Sequence, residues 1–116
     1  MSDVTFWTGK RVCVSGGAGF IGSAVVAHLQ RACGVPRERI AVPRSRDTDL
    51  RSLDQARRAV SGSQLVIHLA AVTGGISFSR SHPASQYRDS TAIDLNVIEA
   101  ARLEGVAKVV AIGNLF

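Results

Sequence analysis

Val12-Cys-Val-Ser-Gly-Gly-Ala-Gly-Phe-Ile-Gly22 decides how this chain folds. A short apolar run breaks into Gly16, Gly19 and Gly22, and then continues as Ile21-Gly-Ser-Ala-Val-Val-Ala-His-Leu29, which reads as a helix. The spacing is the G-x-x-G-x-x-G form of a dinucleotide-binding turn, and each glycine answers a different need. The first permits a sharp strand-to-helix turn, the second lets backbone amides approach a pyrophosphate, and the third lets helix and strand pack closely. With the helix starting near Phe20, its unpaired N–H groups and positive dipole end face the anion. The whole turn, Gly16, Gly17, Ala18, Gly19, Phe20, Ile21 and Gly22, is therefore expected to contact the cofactor. A strand before the glycines and a helix after them is the context that separates this motif from an ordinary glycine-rich loop.

Working outward, strand and helix alternate. Arg11 to Ser15 is the first strand, and Phe20 to Ala32 the first helix, which Cys33-Gly-Val-Pro36 stops. Arg39-Ile-Ala-Val42 is the second strand, and a short helix runs from Ser52, a plausible N-cap, to Val60. Gln64 to Ala70 is the third strand, and Thr73 to His82 has loop composition. Pro83 then opens a long helix ending at Leu103 or Glu104, Gly105 closes it, and Lys108-Val-Val-Ala-Ile112 is the fourth strand.

Strands that are apolar throughout, separated by helices, indicate a parallel sheet covered on both faces. The fold class is α/β. Right-handed crossovers predict the N-terminal part of a doubly wound Rossmann fold, with about four parallel strands in the order 3-2-1-4. Residues 1–116 are expected to form one dinucleotide-binding domain truncated at the end of strand four, the front part of a larger fold. Ala107 to Ile112 would carry an unpaired, weakly charged edge that invites pairing with another chain, and a homodimer is left open.

The loop after strand two bears on the choice of cofactor. Folds that use NAD place an acidic residue about twenty residues past the glycine turn, on the ribose 2′-hydroxyl. Here that place holds Val42-Pro-Arg44-Ser-Arg46, and no carboxylate appears before Asp47. Arg44 would instead meet a 2′-phosphate, which favours NADP(H) over NAD(H). A merely solvated basic loop is the plainer alternative, and Asp47, folded back, would reverse the preference. Asp49 and Leu50 are expected near the adenine. Ala70 and Ala71 let the backbone run beside the phosphates and ribose, and Gly74-Gly75 allow close approach of the nicotinamide or substrate.

Composition narrows the alternatives. Nearly half the residues are apolar and none of the apolar runs approaches the length of a membrane helix, which predicts a cytoplasmic protein without membrane contact. The net charge of +5 comes mainly from scattered arginines, with few aromatics between them, so nucleic acid is not expected as a partner. Cys13 and Cys33 read as two reduced thiols. No metal is expected, because His28, His68 and His82 lack ligand spacing, and His68, inside an apolar run, reads as a core or second-layer residue.

Phe6 to Gly22, Val42 to Arg51, Val66-Ile-His-Leu-Ala-Ala-Val-Thr-Gly-Gly-Ile76 and Asn96 to Gly113 together resemble an extended short-chain dehydrogenase/reductase. Within that group they resemble the NAD-dependent epimerase/dehydratase branch and its GDP-L-fucose synthases. The resemblance implies C3 and C5 epimerisation of GDP-4-keto-6-deoxy-mannose, followed by reduction of the keto group with NADPH. By position, it implies that Gly16 to Gly22 hold the pyrophosphate and Arg44 the 2′-phosphate. Ala70, Ile112 and Gly113 would line the nicotinamide half.

The family's serine or threonine after the glycine at 113, and its cysteine two positions on, are replaced by Asn114 and Phe116. The family's tyrosine precedes a lysine by four residues, whereas Tyr87, the single tyrosine, has Thr91 at that spacing and reads as helix packing. No catalytic residue is therefore assigned. The nucleotide-sugar substrate is expected only in a full-length parent, and these residues alone are expected not to turn it over. A non-catalytic NAD(P)-binding module and a fragment of an epimerase/dehydratase acting on another nucleotide sugar are the alternatives.

Overall fold

Leu65, Val66 and His68 are buried in the middle of a parallel sheet, and that requirement sets the topology. The computed structural model describes residues 4–70 and 80–112. Its strands are β1 (Val12–Ser15), β2 (Ile40–Ala41), β3 (Leu65–His68) and β4 (Lys108–Ala111), all parallel. Its helices are α1 (Val4–Trp7), α2 (Phe20–Arg31), α3 (Leu53–Val60) and α4 (Pro83–Leu103), with a 3-10 turn at Arg37–Arg39 before β2.

The α/β class and parallel sheet agree with expectation, but the strand order is 2-1-3-4 rather than 3-2-1-4. The reason lies in β2. It is two residues long, Ala41 is exposed, and Pro43 follows closely, all features of a sheet edge. A strand beyond β2 would have had almost nothing to pair with. β3 instead runs beside all four residues of β1, Val12↔Leu65 through Ser15↔His68, and takes β4 on its other side.

The change of direction after β2 sends the helices to opposite faces, as right-handed crossovers require. On one face Leu29, Cys33 and Val35 pack with Val12, Val14 and Ile40. On the other, Ala56 and Val60 of α3 and Ile93, Val97 and Ala100 of α4 pack with Cys13 and Val66. Arg58 is exposed, while Arg57 Nε donates to Glu104 Oε2 at 2.8 Å and ties α3 to the end of α4.

Tyr87 corrects an expectation. It lies on α4 but is 76% exposed. At roughly 100° per residue it sits about 240° round the helix from Ile93, off the buried stripe. Burial drives the Cys13 thiol up to about 12, so it is held as a neutral thiol and a poor nucleophile. Among the described residues no helix is long and apolar enough to cross a membrane.

Ser52 caps α3, accepting the Gln55 amide on its hydroxyl at 3.4 Å. Because that bond is long, Ser52→Ala is expected to cost about 0.5–1 kcal/mol, the lower half of the range for N-caps. The urea midpoint, at constant m-value, measures it.

Candidate functional site

The direction of the chain reverses between β1 and β3, and open parallel sheets bind ligands at such a switch point, beyond the strands' carboxyl ends. A cleft of about 610 Å³ lies there. Gly16, Ala18 and Gly19 line one side of it, with Leu69 and Ala70 from the end of β3.

The turn can be this tight only with glycines. Gly16 has φ +76°, and a Cβ on it would lie 2.9 Å from the Ala70 amide nitrogen. A Cβ on Gly22 would lie 1.9 Å from the Gly16 carbonyl oxygen, so α2 is pressed directly onto the turn. Gly17 packs against the Val42 side chain, and a Cβ there would meet it at 2.9 Å. The N-cap of α2 is Gly19, with no side-chain cap and no acidic residue in the first turn. The positive end of the helix thus has no acidic side chain in its own first turn.

The loop after β2 also lines the cleft, contributing Pro43, Arg44, Ser45 and Arg46. Its turn is closed by the Asp47 and Thr48 amides, which both donate to the Arg44 carbonyl, at 2.9 and 2.8 Å. Asp47 pairs with Arg46 at 3.5 Å, and among the described residues Arg44 has no carboxylate partner. Asp47 therefore does not neutralise Arg44.

Asp49, Leu50 and Arg51 line the same cleft. The Asp49 amide donates to Gln55 Oε1 at 2.8 Å, and Asn96 Nδ2 donates to the Leu50 carbonyl at 3.1 Å, so α3 and α4 both hold this segment. Arg51 reaches both Asp49 carboxylate oxygens, at 2.9 and 3.0 Å, and holds that carboxyl below the usual range for aspartate.

Seven of the expected contacts therefore meet in one cleft: Gly16, Ala18, Gly19, Arg44, Asp49, Leu50 and Ala70. Gly17 and Gly22 are buried behind the turn. Phe20 and Ile21 stand exposed on the first turn of α2, outside the lining. Ile112, just past β4 at the same end of the sheet, is also exposed and outside it. Ala71 and Gly113 lie outside the described residues, as do the Gly74-Gly75 loop, Asn114 and Phe116.

Arg51 and Ile93 line the cleft without having been expected there. Arg51 adjoins the Asp49-Leu50 pair, so its neighbourhood could have been inferred. Ile93 arrives from a helix far along the chain and leaves no local signal.

Next to the cleft-lining residues Leu69 and Ala70, a polar chain runs from buried Ser15 and His68 to the half-exposed Asp94. Ser15 Oγ meets His68 Nδ1 at 2.6 Å, and His68 Nε2 meets Asp94 Oδ1 at 2.7 Å. The order serine, histidine, aspartate is that of a hydrolase triad. Here the serine is no nucleophile. It is almost fully buried, and its oxygen already accepts the amides of Leu69 and Ala70, at 3.0 and 3.2 Å.

Against known proteins, the profile of the NAD-dependent epimerase/dehydratase family matches residues 12–114. The chain belongs to that family. It is 34% identical over 104 residues to a probable GDP-L-fucose synthase of Drosophila melanogaster, covering 88% of this chain and 32% of that protein. It is 28% identical over 116 residues to a GDP-mannose 3,5-epimerase of Oryza sativa subsp. japonica, covering 89% of this chain and 31% of that one. The chain thus spans about a third of the length of these curated relatives.

Among solved structures, a GDP-mannoheptose C4 reductase from Campylobacter jejuni, with NADP bound, superposes with a TM-score of 0.79 at 21% identity, over 90% of this chain and 32% of that one. A dTDP-glucose 4,6-dehydratase from Streptomyces venezuelae, with NAD bound, gives 0.70 at 24% identity, over 85% of this chain and 38% of that one. Neighbours this distant share the epimerase/dehydratase fold, and they include both NADP and NAD complexes.

Proposed function

We propose that this cleft holds a dinucleotide, NADP(H) in preference to NAD(H), for a nucleotide-sugar epimerase/reductase of the GDP-L-fucose synthase kind. The observation that carries the proposal is a glycine cradle that shares its cleft with Arg44, an arginine without a carboxylate partner among the described residues. A cradle that any Cβ would fill suits a pyrophosphate lying against backbone amides, and the uncapped α2 N-terminus favours its charge.

In this reading Gly16, Ala18 and Gly19 hold the pyrophosphate, with Gly17 and Gly22 shaping the turn and Phe20 and Ile21 flanking its outer side. Arg44 binds the 2′-phosphate. Asp49 and Leu50 bound the adenine, and Ala70 and Ala71 run beside the ribose, towards Ile112 and Gly113 at the nicotinamide. When bound, the cofactor supplies hydride transfer to or from a sugar carbon. The chain's own residues bind it, orient it and screen its phosphates. A second reading, a dinucleotide-binding module without turnover, draws on Asn114 and Phe116, since phenylalanine cannot move a proton.

Titration with NADPH and NADH, followed by cofactor fluorescence and thermal unfolding at fixed salt, tests the proposal. Saturable NADPH binding is expected, adding about 2.7 kcal/mol of stability at a hundredfold excess over Kd. Folded protein that binds neither cofactor would remove the reading.

A further inference from the structure

The Ser15–His68–Asp94 chain has no place in the proposed cofactor contacts, yet it joins three elements next to the cleft-lining Leu69 and Ala70. Ser15 ends β1, His68 ends β3 in register with it, and Asp94 lies on α4. Its bonding can be counted. A hydroxyl has one donor proton and two acceptor lone pairs. The Ala70 amide donates to Ser15 Oγ at 3.2 Å, and the Leu69 amide shares its one proton between that oxygen and the Ser15 carbonyl, at 3.0 Å to each, so both acceptor sides of the hydroxyl are engaged. The hydroxyl proton then has His68 Nδ1, at 2.6 Å, as its acceptor, which assigns Nδ1 as the unprotonated nitrogen. The ring proton then sits on Nε2 and is donated to the Asp94 carboxylate. The reverse tautomer would crowd three donors onto one oxygen and strand a buried hydroxyl proton, which is costly.

We infer that Asp94 and His68 are positioning residues for the dinucleotide cleft, acting through Ser15 to fix the Leu69–Ala70 backbone that forms part of its lining. This rests on the dinucleotide reading of the cleft. The geometry favours a role beyond packing. The clamped amides belong to the two lining residues that a Cβ on Gly16 would strike. The Leu69 amide is shared between the Ser15 hydroxyl and the Ser15 carbonyl, both at 3.0 Å, so both of its acceptors belong to Ser15. Asp94 is half-exposed, so α4 can lose its carboxylate without opening a cavity.

Two variants test the relay in the full chain. Asp94→Ala removes the acceptor, while Asp94→Asn keeps an oxygen for Nε2–H. Nitrogen-15 spectra of the histidines should show wild-type His68 as a single Nε2–H tautomer. Hydrogen exchange at the Leu69 and Ala70 amides should quicken in Asp94→Ala and return towards wild type in Asp94→Asn. NADPH Kd should rise about 3- to 10-fold in Asp94→Ala, the range for one hydrogen bond, and recover in Asp94→Asn.

An Nδ1–H tautomer in the wild type would overturn the assignment. So would unchanged exchange at residues 69 and 70 in Asp94→Ala, or an asparagine variant no better than alanine. Should the wild type bind no dinucleotide, the functional reading falls separately, while tautomer and exchange still decide the relay.

Discussion

Gly22→Ala is expected to remove dinucleotide binding and to destabilise the protein by at least about 3 kcal/mol, the upper end for overpacking. The added methyl would lie 1.9 Å from the Gly16 carbonyl oxygen, 2.6 Å from its carbon and 2.7 Å from Gly17 Cα. All three are backbone atoms, so no side chain can swing aside. Either α2 must move off the sheet or the turn must open, and both displace the amides that face the cleft. A loss of that size is a large fraction of the roughly 5–15 kcal/mol that typically holds a domain together.

Urea unfolding and NADPH titration on the same variant measure the two effects. Gly62→Ala is the control. Gly62 has φ +80°, and a methyl there would meet nothing within 4 Å. Only the left-handed backbone cost of about 1–2 kcal/mol applies, and binding should survive. A Gly22→Ala protein with wild-type midpoint and affinity would show that the turn is looser than its glycines imply.

Arg44→Ala is expected to weaken NADPH about 10- to 100-fold and to leave NADH nearly unchanged, the span of a lost charge-assisted hydrogen bond or two. The asymmetry is the point of the experiment. Among the described residues Arg44 lines the cleft without a carboxylate partner, whereas Arg46 pairs with Asp47 and Arg51 is held by Asp49 and Asp89. A 2′-phosphate would complete Arg44, but a 2′-hydroxyl offers it little. The NADPH preference should also shrink as salt rises, because exposed charges are screened. Arg44→Lys should restore part of the affinity, since lysine returns the charge but not the planar fork. Equal losses for both cofactors would place Arg44 on a phosphate they share. A wild-type preference for NADH would end the 2′-phosphate assignment.

The sequence by itself determined the local features of this protein. The spacing of Gly16, Gly19 and Gly22 specifies a turn of fixed shape, because sterics at those backbone positions act between near neighbours. Pro83 and Gly105 bracket α4, and Ser52 begins α3, for equally local reasons of capping and backbone freedom. The pairing of Asp49 with Arg51 also joins residues two apart.

Tertiary structure decided what depends on competition between distant segments. The strand order turned on which strand was too short and too exposed to be central. β2 is two residues long, and β3 needed neighbours on both sides. Ile93 in the cleft and Tyr87 in solvent followed from the rotation of α4 against the sheet, which the weakly amphipathic pattern of that helix does not reveal. The Ser15–His68–Asp94 chain was equally hidden. Its members come from two strands and a helix, and only the register Ser15↔His68, set by the pairing of β1 with β3, brings the hydroxyl and ring together. Backbone sterics are written residue by residue, whereas register and helix rotation are settled by burial summed over the whole core.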